Sequence, residues 1–480
     1  MSPSIHVQPS INFLSPEAIT LVHNSSLRML SEIGVRVDSE NAIKLLRKSN
    51  GVTLLDDQHI VFHPDTVEWA ILQAPSVIDI YNRKREITFR LGEDRTRFGI
   101  GVTNLFYESP DSGEIFPFTR ENMRTAVGLG NKLSSYDVVS TIGILRNVDL
   151  HQADLFALLE MVAGTEKPLI ILVSDEKQFK PCLALLERLV GNLSSKPFII
   201  PYFNPVTPLV ISKATAENML ATIDQSLPLI FSNYGMAGVS TPITSAGTLA
   251  LLNSELLAGL VFSQLIQPGT PVILGSLPAF FDMKMMVDFY DPQTMLLNIA
   301  CAEMMDHYHV PHAGTSGSSN GWGADLISAP TLTINHLTCC LGKAGLAPFV
   351  GGTHGSKVFS PNLVVYANEI IEQSRQFARG FEVNDETINI DEIINIGIGG
   401  NYLSSHQTMK LFKNAYFSST IFPRLSLEKW QESNNLDPMK FLRERTLDLL
   451  NNPLYPEDQA ELLSNGESFI TRRLGSYSTD

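Results

Sequence analysis

Cysteine is scarce in this chain. Cys182, Cys301, Cys339 and Cys340 are the full set in 480 residues, and none forms a CxxC or shares a metal-ligand spacing with histidine. That argues against both a disulfide framework and a structural zinc site. Basic clusters are missing too: charged residues make up 18% of the chain, the formal net charge is −15, and no block of Lys or Arg occurs. Nucleic acid and anionic membrane are therefore not expected as main partners. Met1 to Leu14 lacks a basic stretch followed by an apolar core, so no secretory signal is visible and a cytoplasmic location is expected. The most apolar long segment, Thr248 to Ile266, is interrupted by Asn253, Glu255 and Gln264, which reads as a buried helix and not a membrane span. Low-complexity tracts and solenoid-length repeats are absent as well.

What is present is material for a large core, with 44% of residues hydrophobic. Residues 1–95 read as an N-terminal α+β unit that covers or docks: Ser15 and Pro16 open a helix that Gly34 closes, and extended stretches follow near His59 to Phe62 and Ile78 to Tyr81. From Phe98 onward short apolar runs alternate with helical stretches. Eight candidate strands result: Phe98 to Val102, Val138 to Ile142, Leu169 to Val173, Phe198 to Tyr202, Leu229 to Phe231, Val272 to Leu274, Val310 to Ala313 and Pro348 to Gly351. This rhythm predicts an α/β fold, a (β/α)8 TIM barrel over residues 96–380, with a C-terminal helical extension over 381–480. A doubly wound open sheet is the alternative, lowered because no GxGxxG follows the first strand.

In such a barrel the site is built from the loops after the strands. Those loops carry Asn104, Phe106 and Tyr107; Asn204; Asn233 and Tyr234; Phe280, Phe281 and Asp282; Thr315, Ser316 and Asn320; and Thr353, His354 and Phe359. Aromatics dominate, while Lys, Cys and paired carboxylates are few. His354 and the loop serines are the only material for covalent catalysis, and His307, His309 and His312 are the only histidine cluster, read more readily as structural than as metal ligands. An aromatic-lined pocket with Asn, Tyr and one His suits a small polar cation instead, each desolvated ring face contributing about 0.5–2 kcal/mol. The Gly351 to Lys357 loop could cradle a phosphate, although its spacing does not match a P-loop.

Several stretches, taken together, resemble a known family: Leu30 to Val35, Thr241 to Gly259, Gln267 to Ile273, the loop from Val310 to Asp325, Val350 to Gly352, and Ile398-Gly-Gly-Asn-Tyr-Leu403 with His406 and Thr408. In order and coverage they are similar to the trimethylamine methyltransferase (MttB) family, specifically its members without pyrrolysine, such as the glycine betaine–corrinoid methyltransferases. The resemblance implies a TIM barrel that moves a methyl group from a methylated amine to the Co(I) form of a corrinoid held on a separate carrier protein, with no cofactor or metal held tightly by this chain. Ser316, Gly317 and Ser318 stand where the pyrrolysine of the trimethylamine enzymes would be sought, so a quaternary amine, glycine betaine or a relative, is the expected substrate. Asn401, Gln407 and the bulky Trp322 depart from the family pattern.

A quaternary ammonium already carries a neutral amine as leaving group, so such a site needs positioning more than acid, base or nucleophile. On that reading Tyr107, Tyr234, Phe280 and Phe359 form an aromatic box, His354 with Asn204 or Asn233 binds a betaine carboxylate, and Ser316 and Asn320 position the substrate. Homo-oligomerisation stays open. The competing readings are a betaine-binding sensor that lacks transfer, and a metal- or phosphate-dependent barrel of another reaction type.

Overall fold

The computed structural model describes residues 4–93, 95–101, 103–314, 317–433 and 436–477, with side chains as far as 472. Eight parallel strands form the barrel: β1 (Arg97–Ile100), β2 (Tyr136–Ser140), β3 (Leu169–Ile171), β4 (Ile199–Phe203), β5 (Leu229–Ala237), β6 (Val272–Asp282), β7 (His312–Ala313) and β8 (Leu346–Val350). Each is followed by a helix of the outer layer: α1 (Arg120–Lys132), α2 (Ala153–Gly164), α3 (Phe179–Val190), α4 (Lys213–Asp224), α5 (Ser245–Ile266), α6 (Pro292–His307), α7 (Ser328–Leu341) and α8 (Pro361–Arg379). The sheet runs β5-β4-β3-β2-β1-β8-β7-β6, and β5 also pairs with β6, which closes the ring. The expected TIM barrel is thus the fold, and each of the eight sequence-read strands overlaps a barrel strand.

Alternation along the strands sorts side chains into two cores. Val138, Ile170, Ile200, Tyr202, Ile230, Ile273, Ala313, Leu346 and Phe349 fill the barrel, joined from below by Ile78, Ile80, Phe89 and Leu91. The hairpin of Ile78–Tyr81 and Ile87–Leu91 therefore plugs the N-terminal end. The intervening residues, Phe98, Val139, Ile199 and Phe231 among them, face the helices.

The pairing of β5 with β6 is unusually long. It runs in register from Leu229↔Val272 to Ala237↔Phe280, and Phe280 to Asp282 then pairs back with Val287–Phe289. A twisted ribbon thus rises past the barrel's C-terminal rim, which puts residues of β5 and β6 above the lumen.

Helix α5 is apolar on nearly every side, the one described helix with the length and hydropathy of a membrane span, yet it is mostly buried. Its inner side packs on the barrel, where Gly259 lies against the Phe231 ring. Its outer side is covered by the helices Pro16–Glu32 and Pro64–Gln73. Polar residues lock this second contact: Asn253 Nδ2 donates to Ser26 Oγ (2.8 Å) and Tyr308 Oη (3.0 Å), and Ser26 Oγ donates to the Ala250 carbonyl (3.2 Å). Glu303 accepts the main-chain N–H groups of Phe13 and Leu14 at 2.6 and 2.7 Å.

At the other end of the chain, the helices Pro438–Asn451 and Gln459–Tyr477 pack on α1, α8, α2 and α3. Gly466 lets the last helix close on Leu159. Arg120 ties it down by donating to the buried Glu160 (2.6 Å) and to Glu467 (2.6 Å).

Candidate functional site

The mouth of the barrel is organised by the chain after β1. Asn104, fully buried, donates from Nδ2 to the Ser356 carbonyl (2.8 Å), while its Oδ1 has no hydrogen-bond partner. It thereby pins the turn after β8, in which His354 (φ +53°) and Ser356 (φ +67°) hold left-handed conformations. Beyond it Phe106–Glu108 pairs with Ile115–Pro117 on one side and Val358–Phe359 on the other. In that register Tyr107 lies opposite Phe359, their ring centroids 5.9 Å apart. Phe116 and Phe118 approach the same tyrosine at 5.5 and 6.0 Å. Tyr107 and Phe359 are buried. They form the core of this small sheet.

The lumen side of the ribbon carries a different group. Ile230 faces inward, so by the two-residue period Tyr234 does as well. Its hydroxyl donates to Asp288 Oδ2 at 2.5 Å. Burial, with Tyr290 and Asp288 beside it, pushes the Tyr234 phenol far up. Tyr290, also pushed up by burial, touches Tyr234 and Ser356 through its hydroxyl. Ser356 Oγ in turn donates to Ser318 Oγ at 2.6 Å. Polar side chains of β5 and of the segments after β6, β7 and β8 thus gather at the mouth. Asn320 fastens this group, because its Oδ1 accepts from Tyr290 N (3.3 Å) and its Nδ2 donates to Tyr290 O (2.7 Å).

The other residues expected at the site divide between the rim and the outer side of the barrel. Asn233, one step from Tyr234, points outward: Nδ2 donates to the Leu252 carbonyl (2.8 Å) and Oδ1 accepts from Ser276 Oγ (2.9 Å), so its amide is turned to α5 and away from the lumen. Phe280 likewise lies on the outward face of the ribbon, 6.3 Å from Phe289. Asn204 is exposed at the rim and donates to the Ser232 carbonyl (2.8 Å). His354 is half-buried at the mouth, with Nδ1 3.2 Å from Thr353 Oγ1. Ser316 lies outside the described residues. The four aromatics therefore divide: Tyr107 and Phe359 pack together, Tyr234 faces the lumen, and Phe280 stands apart.

Three residues at the mouth escaped the sequence reading. Asp288 and Tyr290 lie on the return strand of the hairpin and just beyond it. Glu108, half-buried, approaches the loop before α7: a Cβ on Gly323 would come within 3.3 Å of Glu108 Oε1, so glycine makes room for it. Its Oε2 is buried without a partner, and burial, aided by Asp325, raises its pKa. An acid with a free buried oxygen is a signal that only the structure supplies.

The histidine cluster does not assemble. His307 ends α6, His309 lies near the N-terminal face, and His312 is buried on β7. Among the described residues no three of His, Cys, Asp and Glu are placed to hold a metal ion. Cys301 and Cys339 are buried outside the mouth, where desolvation pushes both thiols up to about 12, far from a reactive thiolate. The lumen thus offers a carboxylate, phenols, hydroxyls and an imidazole. That is a set for holding and orienting a ligand.

A closed barrel with its polar side chains at the C-terminal rim defines a TIM-barrel enzyme. Comparison with known proteins narrows the class. Residues 2–477 match the family model "Trimethylamine methyltransferase (MTTB)", and the chain belongs to that family. It is a methyltransferase of the corrinoid-dependent kind. It is 24% identical to the trimethylamine methyltransferase MttB of Desulfitobacterium hafniense (strain DSM 10664 / DCB-2), over 91% of this chain and 89% of that one. It is 23% identical to the glycine betaine methyltransferase of Desulfitobacterium hafniense (strain Y51), over 97% and 98%. Among solved structures it is similar to the monomethylamine methyltransferase MtmB of Methanosarcina barkeri, with TM-score 0.52, 9% identity, and 92% and 88% of the two chains covered. That last likeness concerns the fold.

Proposed function

We propose that this chain transfers a methyl group from a quaternary amine, of the glycine betaine kind, to the Co(I) corrinoid of a separate carrier protein. One observation carries the reading: the Asp288 carboxylate stands at the mouth beside Tyr234 and Tyr290 and is held by the Tyr234 hydroxyl. A carboxylate flanked by aromatic rings attracts a quaternary ammonium, which has no N–H to donate and is held by charge and ring faces alone. Because the ammonium is already cationic, methyl transfer to cobalt breaks the C–N bond and leaves the electron pair on a neutral amine. The new bond to carbon takes its electron pair from Co(I), so no proton has to move.

The corrinoid is here a co-substrate presented by its carrier, and the chain's own task is to orient one N-methyl toward the open mouth. Asp288, Tyr234 and Tyr290 hold the cationic head. His354, on the turn next to Asp288, binds the carboxylate of a betaine in this reading, with Asn204 at the rim. Tyr107 and Phe359 instead pack against each other in the small sheet that follows the same turn.

The test is corrinoid methylation with purified carrier, given glycine betaine, proline betaine, carnitine, choline and trimethylamine in turn. Transfer from a quaternary amine and little from trimethylamine is expected. Equal rates from trimethylamine would overturn the substrate class, and binding of betaine without methylated corrinoid would favour a sensor.

A further inference from the structure

A cavity of about 500 Å³ lies at the end of the barrel opposite the mouth, within the size range of small-ligand sites. Its walls come from the segments that lead into the strands: Glu93 and Arg95 before β1, His309 and Pro311 before β7, Lys343 and Gly345 before β8. The last turn of α8 adds Arg375 and Arg379. The start of the chain crosses the rim. Ile5–Val7 pairs with Phe381–Val383, and the Ile11 N–H donates to the Leu341 carbonyl (2.9 Å), which seats Gln8 and Ser10 between these anchors on the cavity.

Although the chain carries a net charge of −15, this cavity gathers positive charge. Burial, and then Arg375, Arg97 and Arg379, hold the Arg95 guanidinium below its ordinary value, against the pull of Asp137. The four arginines therefore lie within electrostatic reach of one another. One carboxylate serves them. Asp137 on β2 accepts from Arg375 Nη2 (2.6 Å), from Arg97 Nη1 (3.3 Å) and from the Phe98 N–H (3.0 Å). The guanidiniums of Arg375 and Arg97 lie 5.1 and 4.9 Å from the Phe98 and Phe89 rings, so neither swings away into water. Arg375 Nε is buried without a hydrogen-bond partner. Of the acids in the lining, Asp306 pairs with Lys343 (3.7 Å). Among the described residues Glu93, Arg95 and Arg379 form no ion pair.

Like charges held together in this way repel, and an anion seated among them relieves the repulsion. A guanidinium meets a phosphate through two parallel N–H bonds, and several that converge favour more than one phosphate. We infer that the cavity at the N-terminal end of the barrel binds a small molecule bearing a diphosphate, held by Arg95, Arg375 and Arg379. The site shares no residue with the mouth, so its ligand is held there and not consumed.

Calorimetric titration of the full chain with inorganic pyrophosphate, at fixed ionic strength, tests this without any assay of methyl transfer, so its outcome is independent of the proposed reaction. One pyrophosphate should bind per chain, with inorganic phosphate weaker by about tenfold or more. The double variant Arg95→Gln, Arg379→Gln, altered at two exposed side chains, should weaken pyrophosphate by at least about tenfold. Arg28→Gln, which removes an exposed cation on the helix Pro16–Glu32, should bind as the wild type does. ADP separates the sources of the diphosphate: tighter binding than pyrophosphate assigns a nucleotide, and weaker binding a ligand without a base. No binding of either, equal affinity for phosphate, or binding that the double variant keeps overturns the inference. Should the double variant fail to fold, hydrogen exchange on the wild type gives the second reading. Protection by pyrophosphate at residues 342–345 and 375–379 supports the site, and protection at the mouth alone, or none, overturns it.

Discussion

The Asn320 carboxamide holds the main chain of Tyr290 from both sides, accepting from its N–H at 3.3 Å and donating to its carbonyl at 2.7 Å. Through this clamp the loop after β7 fixes the strand that carries Asp288. Asn320→Ala should therefore lower kcat/KM by about 10- to 100-fold, because a site that works by orientation is sensitive to shifts of about an ångström. The fold should survive, since the lost bonds lie at the rim. Steady-state methylation of the carrier checks it, and an unchanged kcat/KM would mean that the clamp plays no part in positioning.

Asp288→Asn should act on binding more than on chemistry. The substrate's positive charge disappears as the C–N bond breaks, so a carboxylate stabilises the ground state more than the transition state. KM should rise about tenfold or more, with kcat unchanged or higher. A fall in kcat at constant KM would contradict the role given to this carboxylate.

His354→Ala separates the two ends of the substrate. KM for glycine betaine should rise about tenfold, whereas choline, which lacks the carboxylate, should be used as before. Equal effects on both would place His354 outside the site and leave it a turn residue.

Glu255 gives a pH dependence. Burial raises its pKa to about 7, against the hydrogen bonds from Leu209 N–H (2.7 Å) and Thr207 Oγ1 (3.0 Å) that favour the charged form. A carboxyl raised in the folded state contributes stability that is full below about pH 4.5 and lost as pH climbs through about 7. Between pH 5 and pH 8 the wild type should lose about 1–3 kcal/mol that Glu255→Gln does not lose. Urea unfolding at both pH values measures the difference, and parallel losses in the two proteins would refute it.

The barrel was legible because each strand is an apolar run bounded by turn residues and spaced by a helix, a pattern carried by local sequence. The site was legible only in part. Neighbours at the end of a strand face opposite ways, so Tyr234 reaches the lumen and Asn233 binds α5; Ile230 already held the phase, had it been extended four residues. Tyr107 and Phe359 come after barrel strands, as expected of mouth residues, but pair with one another across a sheet made of segments far apart in the chain, which no local pattern reveals. Asp288 and Tyr290 depend on a return strand of three residues, too short to show a period.

Helix α5 is a wall with a room on either side. Its inner face completes the barrel and its outer face completes the N-terminal unit, so neither can be removed without wetting the other. A protease that clips the chain near residue 93 would yield two fragments that stay together, and an expressed barrel that begins there would carry an uncovered apolar helix and precipitate. The N-terminal residues and the barrel share this wall, and each covers apolar surface that the other would leave in water.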